Sequence, residues 1–443
     1  MSEYKKPTNE EEFKVNFKQK KPLMNDTQAH YESSRCLYCY DAPCMNACPT
    51  GIDIPLFFKQ IHTGNTEGAA KTIYDSNWMG NACGTICPTG ELCEGSCVYT
   101  NQDVPPLQIG RLQNFATRSV IDSRTHLYQP GKDNGRKVGI IGGGPAGLAC
   151  ACELRLMGYQ VDVFEAKARA SGLTVHGIAP YKISNEEVMD EIAYLEEQMN
   201  YNIKYNSPIT TKEQLTALEN DYDAIFIGVG LGGTASIQMD GENSENVIGA
   251  VEFIEELRLN HHKTTVADRV IVLGGGNTAM DAASESARMG AKEVTLAYRR
   301  SKDEMGGYTF EYESAVGSGV KGLFNAAPIE IVGNGKVAGV KFIKTESVNG
   351  KLTTIKDSEF TIPCEMVIKA TGQAKMGELL RLIDGLELDE KTRIKVNPEN
   401  NQTTNPKYFA GGDAINGGAE VVNSAYDGKL AANGIHEMLN KIN

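Results

Sequence analysis

Twice along this chain an apolar strand runs into a glycine-rich turn, then into a helix, and a second strand follows that helix. The first stretch is "KVGIIGGGPAGLACACELRLMGYQVDVFEA", from Lys137, and the second is "DRVIVLGGGNTAMDAASESARMGAKEVTLAYRR", from Asp268. Parallel strands need a crossover, usually a helix, so each stretch reads as one βαβ unit. Two such units imply two nucleotide-binding domains of the doubly wound α/β type. The later strands "YDAIFIGVG", "CEMVIKATG" and "KYFAGGD" each run apolar into Gly or Asp, so backbone can approach a ligand at their carboxyl ends.

In the first unit Gly142, Gly144 and Gly147 form G-x-G-x-x-G between strand and helix, followed by Pro145, Ala146 and Leu148 in the helix mouth. The glycines permit a tight turn and close backbone approach, and the helix N-terminus then faces a pyrophosphate. Glu165 ends the next strand, at the spacing of an acid that bonds ribose hydroxyls. In the second unit Gly274, Gly276 and Ala279 make the G-x-G-x-x-A variant, and the next strand ends in Arg299 and Arg300 instead of an acid. A guanidinium pairs with a 2′-phosphate that a carboxylate would repel, which favours NADP(H) over NAD(H). The plainer reading of the same arginines is a solvated strand end. Asp413, after two glycines and before a long helix, is placed to accept a bond from a flavin ribityl hydroxyl, which would make the first unit an FAD site.

Upstream the texture is different. Eight of the eleven cysteines lie between Cys36 and Cys97, in a segment with short helical patterns and little strand signal. Cys36, Cys39, Cys44, Cys48 and Pro49 read C-x2-C-x4-C-x3-C-P, close to the ferredoxin run in which the cysteine before proline serves a second 4Fe-4S cluster. The second run supplies Cys83, Cys87, Cys93 and Cys97. Two interleaved clusters fit these runs, though spacing leaves open which cysteine of the second run completes which cluster. Structural zinc also uses C-x2-C pairs and is the competing reading. Cys150, Cys152 and Cys364 stand in apolar surroundings and read as core.

A formal charge of -13 with 41% hydrophobic residues excludes a nucleic-acid surface, and no apolar run approaches a membrane span. The N-terminal residues lack the apolar core of a signal peptide, which gives a cytoplasmic expectation. The expected domains are a helical iron-sulfur domain over 1–124, a polar linker over 125–136, an FAD domain over 137–255 and 375–443, and an NAD(P)H domain over 256–374. In this arrangement the second Rossmann-like domain is inserted in the first.

In order, "CLYCYDAPCMNACPT", "CGTICPTGELCEGSC", "IGRLQNFAT", "GIIGGGPAGLAC", "VLGGGNTAMD" and "FAGGDAINGG" resemble the N-terminal half of dihydropyrimidine dehydrogenase and the flavin/iron-sulfur subunit of its bacterial two-subunit form. The small subunit of glutamate synthase is a cousin with the same architecture. The resemblance implies that Cys36, Cys39, Cys44 and Cys97 hold one 4Fe-4S cluster. It implies that Cys48, Cys87, Cys93 and Gln113 hold the other, with Cys83 a buried non-ligand. Glutamine in "IG-x-LQ" is of the dihydropyrimidine dehydrogenase kind, where the glutamate synthase subunit typically has glutamate. The implied FAD site takes Gly144 to Leu148, Glu165, Gly172, Leu173, Lys182, and Gly412 to Val421 with Asp413 and Glu420. The implied nicotinamide site takes Gly276, Asn277, Thr278, Arg299, Arg300, Ala370, Thr371 and Gly372.

Three departures from the family pattern stand out. "SGL" at 171–173 replaces "GGL", Lys182 replaces an arginine within "GIAPYKIS", and Gly306 stands where a further arginine is usual. The last of these makes NADH the alternative to NADPH.

The resemblance implies an electron-input subunit: NADPH gives hydride to FAD, and single electrons pass through two clusters to a partner subunit, an FMN-binding barrel that reduces uracil or thymine. The alternative is the small subunit of NADPH-dependent glutamate synthase or a transhydrogenase-type flavoprotein. Hydride delivery to FAD needs no side chain as acid, base or nucleophile, so no catalytic residue is expected. No C-x-x-C lies beside the flavin motif, which argues against a disulfide exchanger.

Overall fold

β1 (Lys137–Ile141), β2 (Gln160–Phe164), β3 (Asn202–Lys204), β4 (Ala224–Ile227) and, much later in the chain, β13 (Tyr408–Ala410) pair in parallel in the order β13-β4-β1-β2-β3. β4 is buried along its whole length, as befits a strand covered on both faces. β1 lies between β2 and β4, so the chain reverses its winding there and opens a crevice at the carboxyl ends of the strands. The computed structural model describes residues 3–441. The chain divides into two compact units, one of residues 20–175, 182–231 and 375–441, the other of 3–19, 176–181 and 232–374.

The first unit also holds the cysteine-rich segment, built from the helices Asp26–Ser34, Ile54–His62, Thr66–Ser76, Gly80–Ile86 and Ile109–Ser123. Their starts follow from capping chemistry: the side chains of Asn25, Asp53 and Asn65 accept from the backbone N–H groups of Gln28, Leu56 and Gly68. Phe57 and Phe58 point inward with no exposed surface, each contributing roughly 1.5–3 kcal/mol of apolar burial. The expected linker over 125–136 is pinned within this unit. Gln198 Oε1 accepts from the N–H groups of Leu127 and Tyr128, and the Tyr128 hydroxyl donates to Asp75 at 2.7 Å.

The second unit carries its own parallel sheet, with β5 (Val247–Gly249), β6 (Arg269–Leu273), β7 (Glu293–Ala297), β8 (Lys321–Leu323) and β12 (Met366–Lys369) in the order β5-β12-β6-β7-β8. An antiparallel layer of β9 (Ala326–Gly333), β10 (Val337–Val348) and β11 (Lys351–Pro363) is spliced in before β12. Two boundaries differ from the sequence expectation. The unit begins at Gly232 and not at 256, because β5 pairs with β12 and because Gly232 and Gly233 exchange backbone bonds with Ala374 at the neck. Residues 3–19 belong here and not with the cysteines. Phe13 and Phe17 pack with Tyr181, Leu257 and Met289, and Asn16 and Arg288 exchange bonds of 2.7 and 2.6 Å.

In the first unit the long C-terminal helix Val421–Lys441 lies against the helix Pro145–Leu156, and the closest approach is at Gly428. A Cβ there would stand 2.1 Å from the Ala146 carbonyl oxygen, so the contact admits only glycine. Gly428→Ala should cost about 2 kcal/mol or more by forcing the helices apart, which a lowered urea midpoint at unchanged m would report.

Candidate functional site: two glycine loops and a double cysteine set

At the carboxyl end of β1 the backbone turns so tightly that only glycine fits. Gly142 has φ +102°, and a Cβ on Gly147 would lie 2.0 Å from the Gly142 carbonyl oxygen. Gly144 is the N-cap of the Pro145–Leu156 helix with no side chain capping it, and the space beside Gly144 is open to 3.8 Å. Unsatisfied N–H groups at a helix start beside open space are what a pyrophosphate needs. Glu165 accepts from Gly143 N–H at 2.8 Å and from Lys167 N–H at 2.7 Å, which fixes the carboxylate beside the loop.

The turn at Gly172 and Leu173 comes up against the same loop. Ser171 N–H donates to the Gly143 carbonyl, and a Cβ on Gly172 would meet Gly144 Cα at 3.3 Å. Ser171 holds φ +79°, and its hydroxyl and that of Thr174 are buried without a partner. These orphaned groups beside an uncapped helix start fit a dinucleotide. From the other side Gly412 (φ +70°) packs against Ala146 and Ser424, and burial raises the Asp413 carboxyl, which accepts from Ala419 N–H. The structure thus brings Gly142 to Leu148, Glu165, Gly172 and Gly412 together. Lys182 is half-buried in the same unit.

The second loop repeats the geometry in the other unit. Gly274 has φ +153° and packs on the Ala370 carbonyl, while Ala279 is fully buried behind it. Gly276 caps the helix Asn277–Arg288 with nothing within 4 Å of its would-be Cβ. Asn277 Oδ1 accepts from Tyr308 N–H at 2.9 Å, while Thr278, Thr371 and Gly372 are exposed. The two arginines are not equivalent. Arg299 is exposed, whereas Arg300 pairs with Glu304 at 3.0 Å, a partner the sequence reading missed. Glu304 also accepts from Ser301, which holds its carboxyl below the ordinary range.

The cysteines fall into two groups by what surrounds each thiol. Burial raises Cys36, with Cys39 and Cys97 adding to it, and pushes Cys44 up to about 12, with Cys36 and Cys97 again the cysteine neighbours. Burial raises Cys93 as well, and its neighbours are Cys87 and Cys48. The Cys87 thiol is raised first by its bond with Cys83, then by burial. Ligand thiols must be deprotonated, so the positive charge of a bound metal would be needed to keep these buried sets ionised. Among the described residues no three His, Cys, Asp or Glu converge as one metal ion requires. A cubane takes one thiolate at each iron instead.

Gln113 is 6% exposed, and its Nε2 donates to the Gly80 carbonyl at 2.7 Å. Its helix approaches the Gly80–Ile86 helix through two glycines: a Cβ on Gly110 would lie 2.5 Å from the Gly84 carbonyl oxygen. Sequence reasoning also missed Glu191, which sits 1% exposed over this helix pair and accepts from Asn81 N–H, Ala82 N–H and the Tyr74 hydroxyl.

Comparison with known proteins now bears on these sites. Residues 136–428 match the family model described as pyridine nucleotide-disulphide oxidoreductase, and residues 13–125 match dihydropyrimidine dehydrogenase domain II, 4Fe-4S cluster. The chain belongs to the pyridine nucleotide-disulphide oxidoreductase family. It is an NAD(P)H-dependent oxidoreductase of FAD and 4Fe-4S type, from the branch with an N-terminal iron-sulfur domain.

It is 35% identical to the glutamate synthase [NADPH] small chain of Escherichia coli K12, over 96% of this chain and 94% of that one. It is 34% identical to the NAD-dependent dihydropyrimidine dehydrogenase subunit PreT of the same organism, over 94% and 96%. The fold is that of Mycobacterium tuberculosis FprA (TM-score 0.58, 18% identity, 69% of this chain and 85% of that one). The thioredoxin reductase of T. acidophilum is also similar (TM-score 0.55, 21% identity, 70% and 100%). Among the described residues no helix of this family member is long and apolar enough to cross a membrane.

Burial, the largest influence on Glu191, raises its carboxyl from 4.5 to about 7, against the lowering effect of its hydrogen bonds. Its protonated form therefore stabilises the fold fully below pH 4.5, and that contribution is lost as pH rises through about 7. Glu191→Gln should flatten the fall in stability across this window, measured as urea midpoints from pH 5 to 8.

Proposed function

We propose that this chain is the electron-input subunit of an NADPH-dependent dihydropyrimidine dehydrogenase, working in the cytoplasm with a separate FMN-containing barrel subunit that reduces uracil or thymine. In this reading the NADPH domain is inserted in the FAD domain, as the late return of β13 to the first sheet supports. Gly144 to Leu148, Glu165, Gly172, Leu173, Lys182, Gly412, Asp413, Glu420 and Val421 bind FAD. Gly276, Asn277, Thr278, Arg299, Arg300 and the 370–372 loop bind the nicotinamide substrate. When bound, FAD and the two clusters supply the exchange of an electron pair for single electrons.

The residues supply placement and charge. The uncapped starts at Gly144 and Gly276 present backbone N–H groups to each pyrophosphate, and Glu165 is fixed to receive ribose hydroxyls. Arg299 is exposed for a 2′-phosphate. No side chain moves a proton.

The observation that carries the pyrimidine reading is the neutral amide at Gln113, held by Gly80 and flanked by the Cys87 helix. The identity to a glutamate synthase small chain supports the second reading, in which the partner is an amidotransferase. Anaerobic isolation of the complex, followed by assay of uracil-dependent NADPH oxidation, tests the first against the second. An FMN subunit and uracil-dependent turnover are expected; glutamine- and 2-oxoglutarate-dependent turnover would replace the reading with the second.

The nicotinamide preference has its own test. Arg299→Ala should raise KM for NADPH about tenfold or more while leaving KM for NADH within twofold, since a lost charge-assisted contact is worth about 1.5–3 kcal/mol.

A further inference from the structure

Lys21 lies outside every motif, yet its ammonium donates to the Cys87 carbonyl at 3.0 Å and to the Thr89 hydroxyl at 3.4 Å. The side chain is half-buried, so the charge is partly withdrawn from solvent screening. Acidic charges act on this cysteine set as well: Glu94 on Cys93 and Glu420 on Cys87. Glu94 is directed away in part, its carboxylate accepting from Gly110 N–H at 3.0 Å. Lys21 is thus a cation placed at the backbone of Cys87.

We propose that Lys21 sets the reduction potential of the cluster held by Cys48, Cys87, Cys93 and Gln113, keeping it higher than the cysteine set and its acidic neighbours alone would give. Adding one electron makes a cluster more negative by one charge, and a fixed cation stabilises that state relative to the oxidised one. Lys21 makes no bond to a thiol, so it is a positioning residue acting through charge and through the Cys87–Thr89 turn. The neutral amide of Gln113 works in the same direction, and the two together offset Glu94 and Glu420. Lys21 makes its hydrogen bonds at Cys87 and Thr89, so the effect is larger at this cluster than at the one held by Cys36, Cys39, Cys44 and Cys97.

The inference rests on the ligand sets proposed above, and the test separates the two. In anaerobically purified full-length protein, Cys93→Ala should abolish one of two cluster signals in electron paramagnetic resonance; retention of both overturns the ligand set. The signal so identified is then followed through a potentiometric titration. Lys21→Gln should lower its midpoint, so that at the wild-type midpoint the reduced-to-oxidised ratio falls about tenfold, and should shift the other cluster less. Lys21→Arg, which keeps the charge, should stay within twofold of wild type. An unmoved midpoint in Lys21→Gln, an equal shift in both clusters, or an equal shift in Lys21→Arg would each overturn the role given to Lys21. Iron and labile sulfide per chain, measured in every variant, ensure that the potentials compare loaded proteins. If Lys21→Gln does not load, loss of loading in Lys21→Arg as well would overturn the charge role, and loading in Lys21→Arg with a wild-type midpoint would support it.

Discussion

A carboxylate with almost no access to water joins the two halves of the first unit. Glu191 projects from the helix Asn185–Met199 of the nucleotide-binding part and accepts three hydrogen bonds from the cysteine-rich part, two of them from the start of the Gly80–Ile86 helix. Leaving one of those donors unmet in the interior would cost on the order of 1–3 kcal/mol, so the orientation of the helix that leads into Cys87 is tied to this single side chain. Glu187, one turn earlier, accepts from Thr85 and Asn114, which extends the same tie to the helix carrying Gln113. The cysteine set beside Cys87 is therefore placed by contacts with the part that carries the first glycine loop.

The same economy of close approach appears wherever the proposed chemistry requires it. Gly142 and Gly147 let the first loop fold onto β1, Gly274 does so for the second, and Gly84 and Gly110 bring two helices of the cysteine-rich part together. In each place a Cβ would collide with a backbone carbonyl, so backbone geometry sets the spacing. Side chains then add charge to that frame: Glu165 at the first loop, Arg299 and Arg300 at the second, and Lys21 beside Cys87. Arg300 is paired with Glu304, while Arg299 is exposed.

The central strands of both parallel sheets and both loops were legible because glycine spacing and strand periodicity are local signals with a direct steric cause, whereas the three-residue strands β3, β5 and β8 carry no such signal. Other features were not. The antiparallel layer β9-β10-β11 is polar along much of β11 and interrupts the second nucleotide unit without a motif of its own. Residues 3–19 read as part of the cysteine segment because they precede it, yet Phe13 and Phe17 are drawn to the apolar surface around Leu257 and Met289. The strain at Ser171 was visible only as a departure from "GGL", and its buried hydroxyl needed coordinates.

By itself the sequence determined the chemistry on offer: eight clustered cysteines, two glycine turns, an acid after one and arginines after the other. Those properties belong to residues a few positions apart, where chain geometry leaves little freedom. Tertiary structure decided everything that depends on residues far apart in the chain. It set which cysteines share a neighbourhood, which arginine is already paired, and that Lys21 and Glu191 stand at the two ends of the helix leading into Cys87. Such contacts are fixed by packing and by the cost of burying unpaired charge, and no local pattern encodes them.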